Sequence, residues 1–180
     1  MPELLLLREL PRYEMLQEKA KRYPDLDAGA VEATLVLMRV ASDVLEGFGA
    51  HFARNGISQG RYMVLMMLER PCVVSGMLPS EIADKLGVTR ATVTGLLDGL
   101  EKDGLISRQM HPEDRRAFCI ELTNKGREFL ADLLPEHYRR IAGLMAHLDD
   151  GERRQLIDLL SKVALGTDAM RDEDWTPDTN

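Results

Sequence analysis

Apolar residues recur at helical spacing along most of the chain, so the pattern predicts a mainly α-helical protein. A short helix carries Tyr13, Leu16 and Ala20 and is closed by Pro24. A long helix is predicted over residues 28–54, with two apolar stripes, one formed by Val31, Leu35, Met38 and Leu45 and one by Leu37, Val40, Val44 and Phe48. Two stripes indicate burial on more than one side, between the chain's own core and a neighbour such as a second subunit.

Residues 79–104 predict two short helices joined by a tight turn. Pro79 suits the first turn of a helix over residues 80–86, and Gly87 suits its end. Thr89 is placed to cap a second helix, whose apolar stripe consists of Val93, Leu96, Leu97 and Leu100. This order is the helix-turn-helix pattern.

The period then changes from helical to alternating. Residues 105–110 and 117–122 predict two strands, with Phe118, Ile120 and Leu122 on one face of the second and Cys119 on the other. The charged segment 111–116 between them has turn chemistry. The pair is therefore predicted to be a two-stranded wing.

The C-terminal third is predicted to be helical again. Thr123 begins a helix in which Pro135 should cause a bend near Ala131, and the apolar pattern continues to Leu148. Asp149 and Glu152 then form a capping box that opens a last helix.

The predicted fold is therefore mainly α with a small two-stranded β wing. It is a winged helix-turn-helix whose N- and C-terminal helices form a dimerisation region. The expected organisation is an N-terminal extension and long dimerisation helix (1–57), a DNA-binding domain (58–123), C-terminal dimerisation helices (124–165) and a disordered tail (166–180).

Charge is distributed unevenly along the chain. The 180 residues carry a net charge of −7, yet the eight Lys/Arg and eight Asp/Glu between residues 79 and 127 cancel. A duplex is thus repelled everywhere except at this region, which suits specific rather than general DNA binding. The sequence shows neither a signal peptide nor the roughly 20 apolar residues that span a bilayer, and its two cysteines form no metal or disulfide pattern. A cytoplasmic protein without a catalytic site, metal or cofactor is expected.

The second helix of the pair presents the candidate base-reading residues. With its stripe facing inward, its N-terminal half exposes Arg90, Thr92, Thr94 and Gly95, next to Thr89 and Ser80. Arg90 has the reach for a guanine edge or a phosphate. The alternative is that these are small polar residues on a solvated face.

The predicted wing tip carries Asp114, Arg115 and Arg116. An arginine at the end of a ribbon can enter a narrow minor groove, and Asp114 can orient Arg116 through a charge-assisted hydrogen bond. His111, Glu113 and Asp114 also allow a metal cluster as an alternative, although a turn of this composition is ordinary in a wing.

In these features the sequence resembles the MarR family of antibiotic-resistance regulators. The resemblance covers residues 28–163 and rests on Leu86-Gly87-Val88-Thr89, on residues 100–106, on the Asp114-Arg115-Arg116 wing and on Leu122-Thr123 followed by Gly126. The N-terminal extension and residues 126–135 are similar to the subgroup that represses multidrug efflux pumps. The resemblance implies a homodimer, a pseudopalindromic double-stranded DNA operator, and release by a small hydrophobic, aromatic or phenolic effector.

The resemblance also implies an effector site. Thr94 and Arg108 match family positions near a bound aromatic acid, and a sensing cavity between the long helix and its neighbours would be lined by Met38, Ser42, Tyr62 and Met66. Methionines and a tyrosine at helical spacing are, however, core residues more often than the lining of a pocket. Arg39 in the same helix is expected on a solvated face or in interface ion pairs.

Three alternatives remain open at this point. Cys72 or Cys119 could serve a thiol-based redox regulator of the same fold, although neither lies where redox-sensing relatives place their cysteine. A winged-helix adaptor could bind protein instead of DNA. Arg90, Arg115 and Arg116 on the predicted DNA-facing surface disfavour this alternative. An enzyme that dimerises through a winged helix would need a cofactor loop or nucleophile motif, and the sequence shows neither.

Overall fold

A computed structural model describes residues 11–69, 76–110 and 118–171. In chain order these residues form α1 (Tyr13–Ala20), α2 (Ala28–Arg54), α3 (Gln59–Leu68), α4 (Pro79–Leu86), α5 (Arg90–Lys102), β1 (Ile106–Met110), β2 (Phe118–Leu122), α6 (Asn124–Leu144), α7 (Asp150–Leu165) and a 3-10 turn (Thr167–Met170). The mainly helical fold with a two-stranded wing is therefore confirmed.

Side-chain hydrogen bonds cap the N-termini of α2 and α3. The Asp27 carboxylate accepts a hydrogen bond from the Ala30 amide at 3.0 Å at the start of α2. Ser58 Oγ accepts one from the Arg61 amide at 3.3 Å at the start of α3. Between the two helices Gly56 has φ +70°, a conformation that glycine adopts without steric cost. The predicted helix end at Asn55-Gly56 and the Ser58 cap are thus confirmed.

The helix-turn-helix is formed by α4 and α5. Gly87 ends α4 in the left-handed conformation, with φ +64°. Two residues later, Thr89 Oγ1 accepts a hydrogen bond from the Thr92 amide at 3.2 Å and so caps α5. Buried apolar side chains hold the two helices together: Ile82, Val93, Leu97 and Leu100.

The wing strands pair antiparallel, with Ile106 opposite Leu122 and Met110 opposite Phe118. On its other edge β2 pairs with Met77, through N–H···O bonds of 2.8 and 3.0 Å between Met77 and Ile120. The predicted connector before α4 is therefore part of the sheet at this point. A Cβ added at Gly76 would lie 3.0 Å from the Cys119 Cβ, so the same segment helps to bury Cys119. Phe118, at the start of β2, is exposed instead.

The chain separates into two compact units, Met1–Leu130 and Ala131–Asn180. α6 spans this boundary and continues through Pro135 to Leu144, ending before Leu148, while the bend near Ala131 stays a prediction. The capping box of α7 is confirmed: the Asp149 carboxylate accepts from the Glu152 amide at 2.9 Å, and the Glu152 carboxylate accepts from the Asp149 amide at 2.8 Å.

The predicted disordered tail is wrong for its first residues, because Thr167–Met170 form a 3-10 turn. Its Arg171 amide donates to the Asp168 carbonyl at 2.9 Å. Residues 172–180 lie outside the described part of the chain. None of the described helices has the length and apolar character needed to span a membrane.

Candidate nucleic-acid interface

The N-terminal half of α5 has one buried and one open face, as predicted. Val93 and Leu97 are buried, whereas the predicted base-reading residues Arg90, Thr92, Thr94 and Gly95 are all exposed. Thr89 is also exposed, and Ser80 is half-buried on α4. The helix-turn-helix thus presents the polar residues at the end of α5 that enters the major groove in this class of fold.

The threonine hydroxyls on this face differ in whether their proton is free for a hydrogen bond to DNA. Thr89 Oγ1 and Thr92 Oγ1 lie 2.9 Å apart, so only one of the two hydroxyl protons is used between them. The other proton can be donated to a phosphate oxygen. Thr94 Oγ1 already donates to the Arg90 carbonyl at 3.0 Å, which leaves its methyl group and its acceptor sites for a ligand or base.

A cavity opens beside this face. It measures about 420 Å³ and is lined by Leu78, Pro79, Ser80, Arg90, Thr94 and Phe118. Its volume lies in the range of small-molecule sites, and apolar walls with a few polar groups are typical of them. Three of the six lining residues, Ser80, Arg90 and Thr94, were predicted to face DNA. A molecule in the cavity and a DNA duplex would therefore compete for the same side chains.

Arg108 projects from β1 toward α5. Its guanidinium forms ion pairs with Asp98 at 2.5 Å and with Glu101 at 3.0 Å. The hydrogen bond that Arg108 donates to the Asp98 carboxylate is the main reason why the pKa of Arg108 is raised above its ordinary value. Asp98 follows Thr94 by one helical turn, so Thr94 and Arg108 border the same side of α5.

The four residues predicted to line the sensing cavity beside the long helix differ in burial and in position along the chain. Tyr62 is buried and stacks on Phe52, with ring centroids 4.5 Å apart, and Met66 is half-buried one turn later. Met38 is exposed and Ser42 half-buried on α2. They precede Phe52 by 14 and 10 residues, or about 21 and 15 Å along a helix. Tyr62 therefore packs into the core far along α2 from Met38.

Arg39 does not lie on an open face, the first of its two expected placements, and its place in interface ion pairs stays a prediction. It is half-buried, and its Nη2 atom is buried without a hydrogen-bond partner in the part of the chain that the structure describes.

The predicted wing-tip residues Asp114, Arg115 and Arg116 lie outside the described residues. The same is true of His111 and Glu113 from the alternative metal cluster. Among residues 11–69, 76–110 and 118–171, no group of three or more His, Cys, Asp or Glu side chains is arranged to hold a metal ion.

Cys119 lacks the environment of a reactive thiol. It is 3% exposed, and burial, followed by the charges of Glu121 and Glu81, raises its pKa. A raised pKa lowers the thiolate population and hence the reactivity toward oxidants. This environment disfavours the redox alternative at Cys119, while Cys72 lies outside the described residues.

One polar contact at α5 was not predicted. Arg61 on α3 donates to the Gly99 carbonyl at 2.9 Å and forms an ion pair with Asp103 at the end of α5. The partners are 38 and 42 residues apart in sequence. The only local signal is the single charged side chain of Arg61 in an otherwise uncharged helix, which does not indicate its partner.

A helix-turn-helix with an exposed polar recognition helix, followed by an antiparallel two-stranded wing, defines a winged-helix protein of the DNA-binding class. Residues 57–118 match the model of the MarR family. Two curated relatives share much more of the chain than this segment. The transcriptional repressor YetL of Bacillus subtilis is 37% identical over 157 residues, covering 87% of this chain and 93% of that protein. The transcriptional repressor MprA of Escherichia coli is 32% identical over 163 residues, covering 91% and 92% respectively. The chain therefore belongs to the MarR family of transcriptional regulators.

A solved structure agrees with this assignment. The crystal structure of CouR from Rhodococcus jostii, bound to p-coumaroyl-CoA, superimposes with a TM-score of 0.61 at 26% identity, over 73% of this chain and 91% of CouR.

Proposed function

We propose that this protein is a homodimeric transcriptional repressor that binds a pseudopalindromic operator and is released by a small hydrophobic or aromatic, weakly acidic effector. A repressor of chromosomal genes acts where the DNA is, so a cytoplasmic location is part of the proposal. The observation that carries it is the overlap of two surfaces: Arg90 and Thr94 belong both to the exposed face of α5 and to the wall of the cavity.

Sequence-specific DNA binding is supported by the chemistry of the α5 surface. No described carboxylate pairs with Arg90, which leaves its forked donors available for a guanine edge or a phosphate. Thr89 and Thr92 add a hydroxyl donor, and Gly95 allows close approach of the backbone. In the proposed complex Ser80 and the wing residues Asp114, Arg115 and Arg116 complete the contact with the duplex.

A homodimer is supported by apolar side chains that the single chain leaves uncovered. In α2 these are Val36, Leu37, Met38 and Val40, and in α7 Ile157, Leu159, Leu160 and Val163. No residue of α7 is buried. Exposed stripes of this size on two helices mark a protein interface. Two-fold symmetry then places two recognition helices on two half-sites about one helical turn apart.

The effector is proposed to bind first at the cavity between α4, α5 and β2. An aromatic ring would contact Leu78, Pro79 and Phe118, and a carboxylate or phenolate would reach Arg90 beside Thr94. Arg108 would lie at the border of the site. CouR, which was crystallised with an aromatic acyl thioester, supports an aromatic ligand class for this fold. Met38 and Ser42 would line a second proposed site against the partner subunit, because Met38 is exposed on its own chain. Tyr62 packs far along α2 from them, and both Tyr62 and Met66 would contribute to the core instead.

Binding to the DNA upstream of the protein's own gene tests the proposal. Fluorescence anisotropy at low and raised salt should show one high-affinity site whose affinity decreases with salt but still exceeds that of an unrelated duplex. Salicylate-like or uncoupler-like phenols should then release the DNA and raise the melting temperature of the free protein. Equal affinity for both duplexes would contradict the operator, and a panel of aromatic acids and thioesters without effect on either measurement would contradict the effector.

A further inference from the structure

The recognition helix α5 is held at its C-terminal end by one side chain from α3. Arg61 Nη2 donates to the Gly99 carbonyl at 2.9 Å and also forms an ion pair with the Asp103 carboxylate. The Arg61 side chain is 20% exposed and that of Asp103 49%. One guanidinium therefore contacts two successive turns of α5, which a single-point donor cannot do equally well.

Two glycines make this close approach possible. A Cβ at Gly99 would lie 3.5 Å from Arg61 Nε, so the guanidinium packs flat over the glycine. A Cβ at Gly60 would lie 3.2 Å from a Leu96 methyl group, which shows that α3 begins directly against α5. Leu96, Gly99 and Asp103 follow at spacings of three and four, so they lie along one side of α5. That side of α5 is seated on the Gly60–Arg61 end of α3.

The same end of α5 is tied to the start of α6. Lys125 Nζ donates to the Asp103 carbonyl at 2.7 Å, and Thr123 Oγ1 donates to the Gly104 carbonyl at 2.7 Å. Asp103 is thus held twice, through its carboxylate by α3 and through its carbonyl by α6. These bonds together favour one position of the C-terminal end of α5 relative to α3 and α6.

The α3 contact also leads back to the long helix. Tyr62, next to Arg61, is buried and stacks on Phe52 of α2 at 4.5 Å between ring centroids. α3 thus lies in contact with the C-terminal part of α2 through Tyr62 and with α5 through Arg61. A series of contacts therefore leads from Phe52 to Tyr62, through the neighbouring Arg61, and on to Asp103.

We infer that Arg61 is a positioning residue for operator recognition. It holds α5 at the angle to α2 at which the two recognition helices of a dimer fit half-sites one turn apart, and it couples movements of α2 to α5. The inference rests on the proposed function, because it needs a dimer and an operator. It adds a residue outside the DNA-facing surface that sets which half-site spacing is accepted.

The experiment compares R61Q, R61K, D103N and the R61Q/D103N double variant with the wild-type full-length chain. Each protein is titrated with the mapped operator and with the same half-sites separated by one additional base pair. R127Q is the matched control, since Arg127 loses the same charge in the same unit but donates to the Leu122 carbonyl at 3.1 Å rather than to α5. The ratio of the two affinities does not depend on the folded fraction, so partial unfolding of a variant cannot mimic the effect.

The wild type should prefer the native spacing, and R61Q should reduce this preference by about threefold or more. R127Q should weaken both duplexes alike and leave the ratio unchanged. The spacing preference of R61K should fall between those of wild type and R61Q. The double variant should show the same spacing preference as R61Q, because the two residues act as one pair.

The D103N variant distinguishes the effect of losing the Arg61 contact from the effect of losing a negative charge. Removal of a negative charge alone strengthens DNA binding, whereas loss of the Arg61 contact should weaken it and reduce the spacing preference. A D103N protein that binds more tightly with an unchanged ratio, together with R61Q indistinguishable from R127Q, would overturn the inference while operator binding stands. A wild type that distinguishes neither operator from unrelated DNA nor one spacing from the other would overturn the proposed function and this inference together.

Discussion

The Arg108 guanidinium lies 2.5 Å from the Asp98 carboxylate and ties the first strand of the wing to the outward side of the recognition helix. Glu101 adds a second contact at 3.0 Å. The family resemblance placed Arg108 near a bound aromatic acid, where its guanidinium could pair with the acid group. Its donors face two carboxylates, so an anion must compete with them.

Asp98→Asn should therefore increase the affinity for an aromatic carboxylate such as salicylate. The competing charge is removed while the size of the side chain is kept, and the repulsion between Asp98 and an anion in the cavity disappears. Isothermal titration should show about a two- to tenfold lower Kd, equivalent to about 0.4–1.4 kcal/mol. Asp158→Asn on α7 serves as the control and should leave the Kd unchanged. An unchanged Kd in Asp98→Asn would mean that the effector does not approach Arg108.

Arg90→Ala should weaken operator binding by about 1–3 kcal/mol if the guanidinium reads a base edge. The base preference of the variant should also become weaker at one position in each half-site. Competition anisotropy with single-base operator variants measures both effects. A loss that is uniform over all sequences would instead assign Arg90 to a phosphate.

The wing arginines provide a prediction that rests on the sequence. Arg116→Ala should weaken binding and reduce the dependence of affinity on salt concentration, because its expected target is the negative minor groove. Asp114→Ala should cost part of this loss, and the double variant should be little worse than Arg116→Ala. Additive losses in a double-mutant cycle would show that Asp114 does not orient Arg116.

The dimer interface can be tested on α7. Leu160→Glu places a charge within the exposed apolar stripe, and this charge would be buried without a partner in a dimer. Light scattering should show monomers or unfolded protein, with loss of operator binding. Lys162→Glu, two residues further and on another side of the helix, should remain dimeric. A dimeric Leu160→Glu protein would exclude α7 from the interface.

The Arg61–Asp103 pair predicts an acid response of defined direction. The hydrogen bond from Arg61, and then its charge, lower the pKa of Asp103 below its ordinary value in the folded protein. A depressed folded pKa contributes stability above the unfolded value of about 3.9 and loses it as the pH falls through the folded pKa. NMR titration of the carboxyl carbon should therefore show a higher Asp103 pKa in R61Q than in the wild type. Equal values would show that the pair is not formed in solution.

The sequence by itself determined the features that depend on neighbouring residues. Ser58, Thr89 and Asp149 cap their helices through atoms three residues away, and Gly87 ends α4 because its backbone adopts a left-handed conformation. The apolar stripe of α5 likewise indicated its buried face, because 3.6 residues per turn relate spacing directly to direction. The order of helix, turn, helix and wing followed from these local rules.

Only the tertiary structure decided which distant residues meet. Arg61 and Asp103 are 42 residues apart, Met77 pairs with Ile120 across the helix-turn-helix, and Cys119 is buried on the face that alternation had left open. Tyr62, which the sequence offered as a cavity wall, instead packs on Phe52. Local spacing defines a direction on each element but not the neighbour in that direction. The neighbour is set by how the helices and strands pack, and so these contacts appear only once the chain is folded.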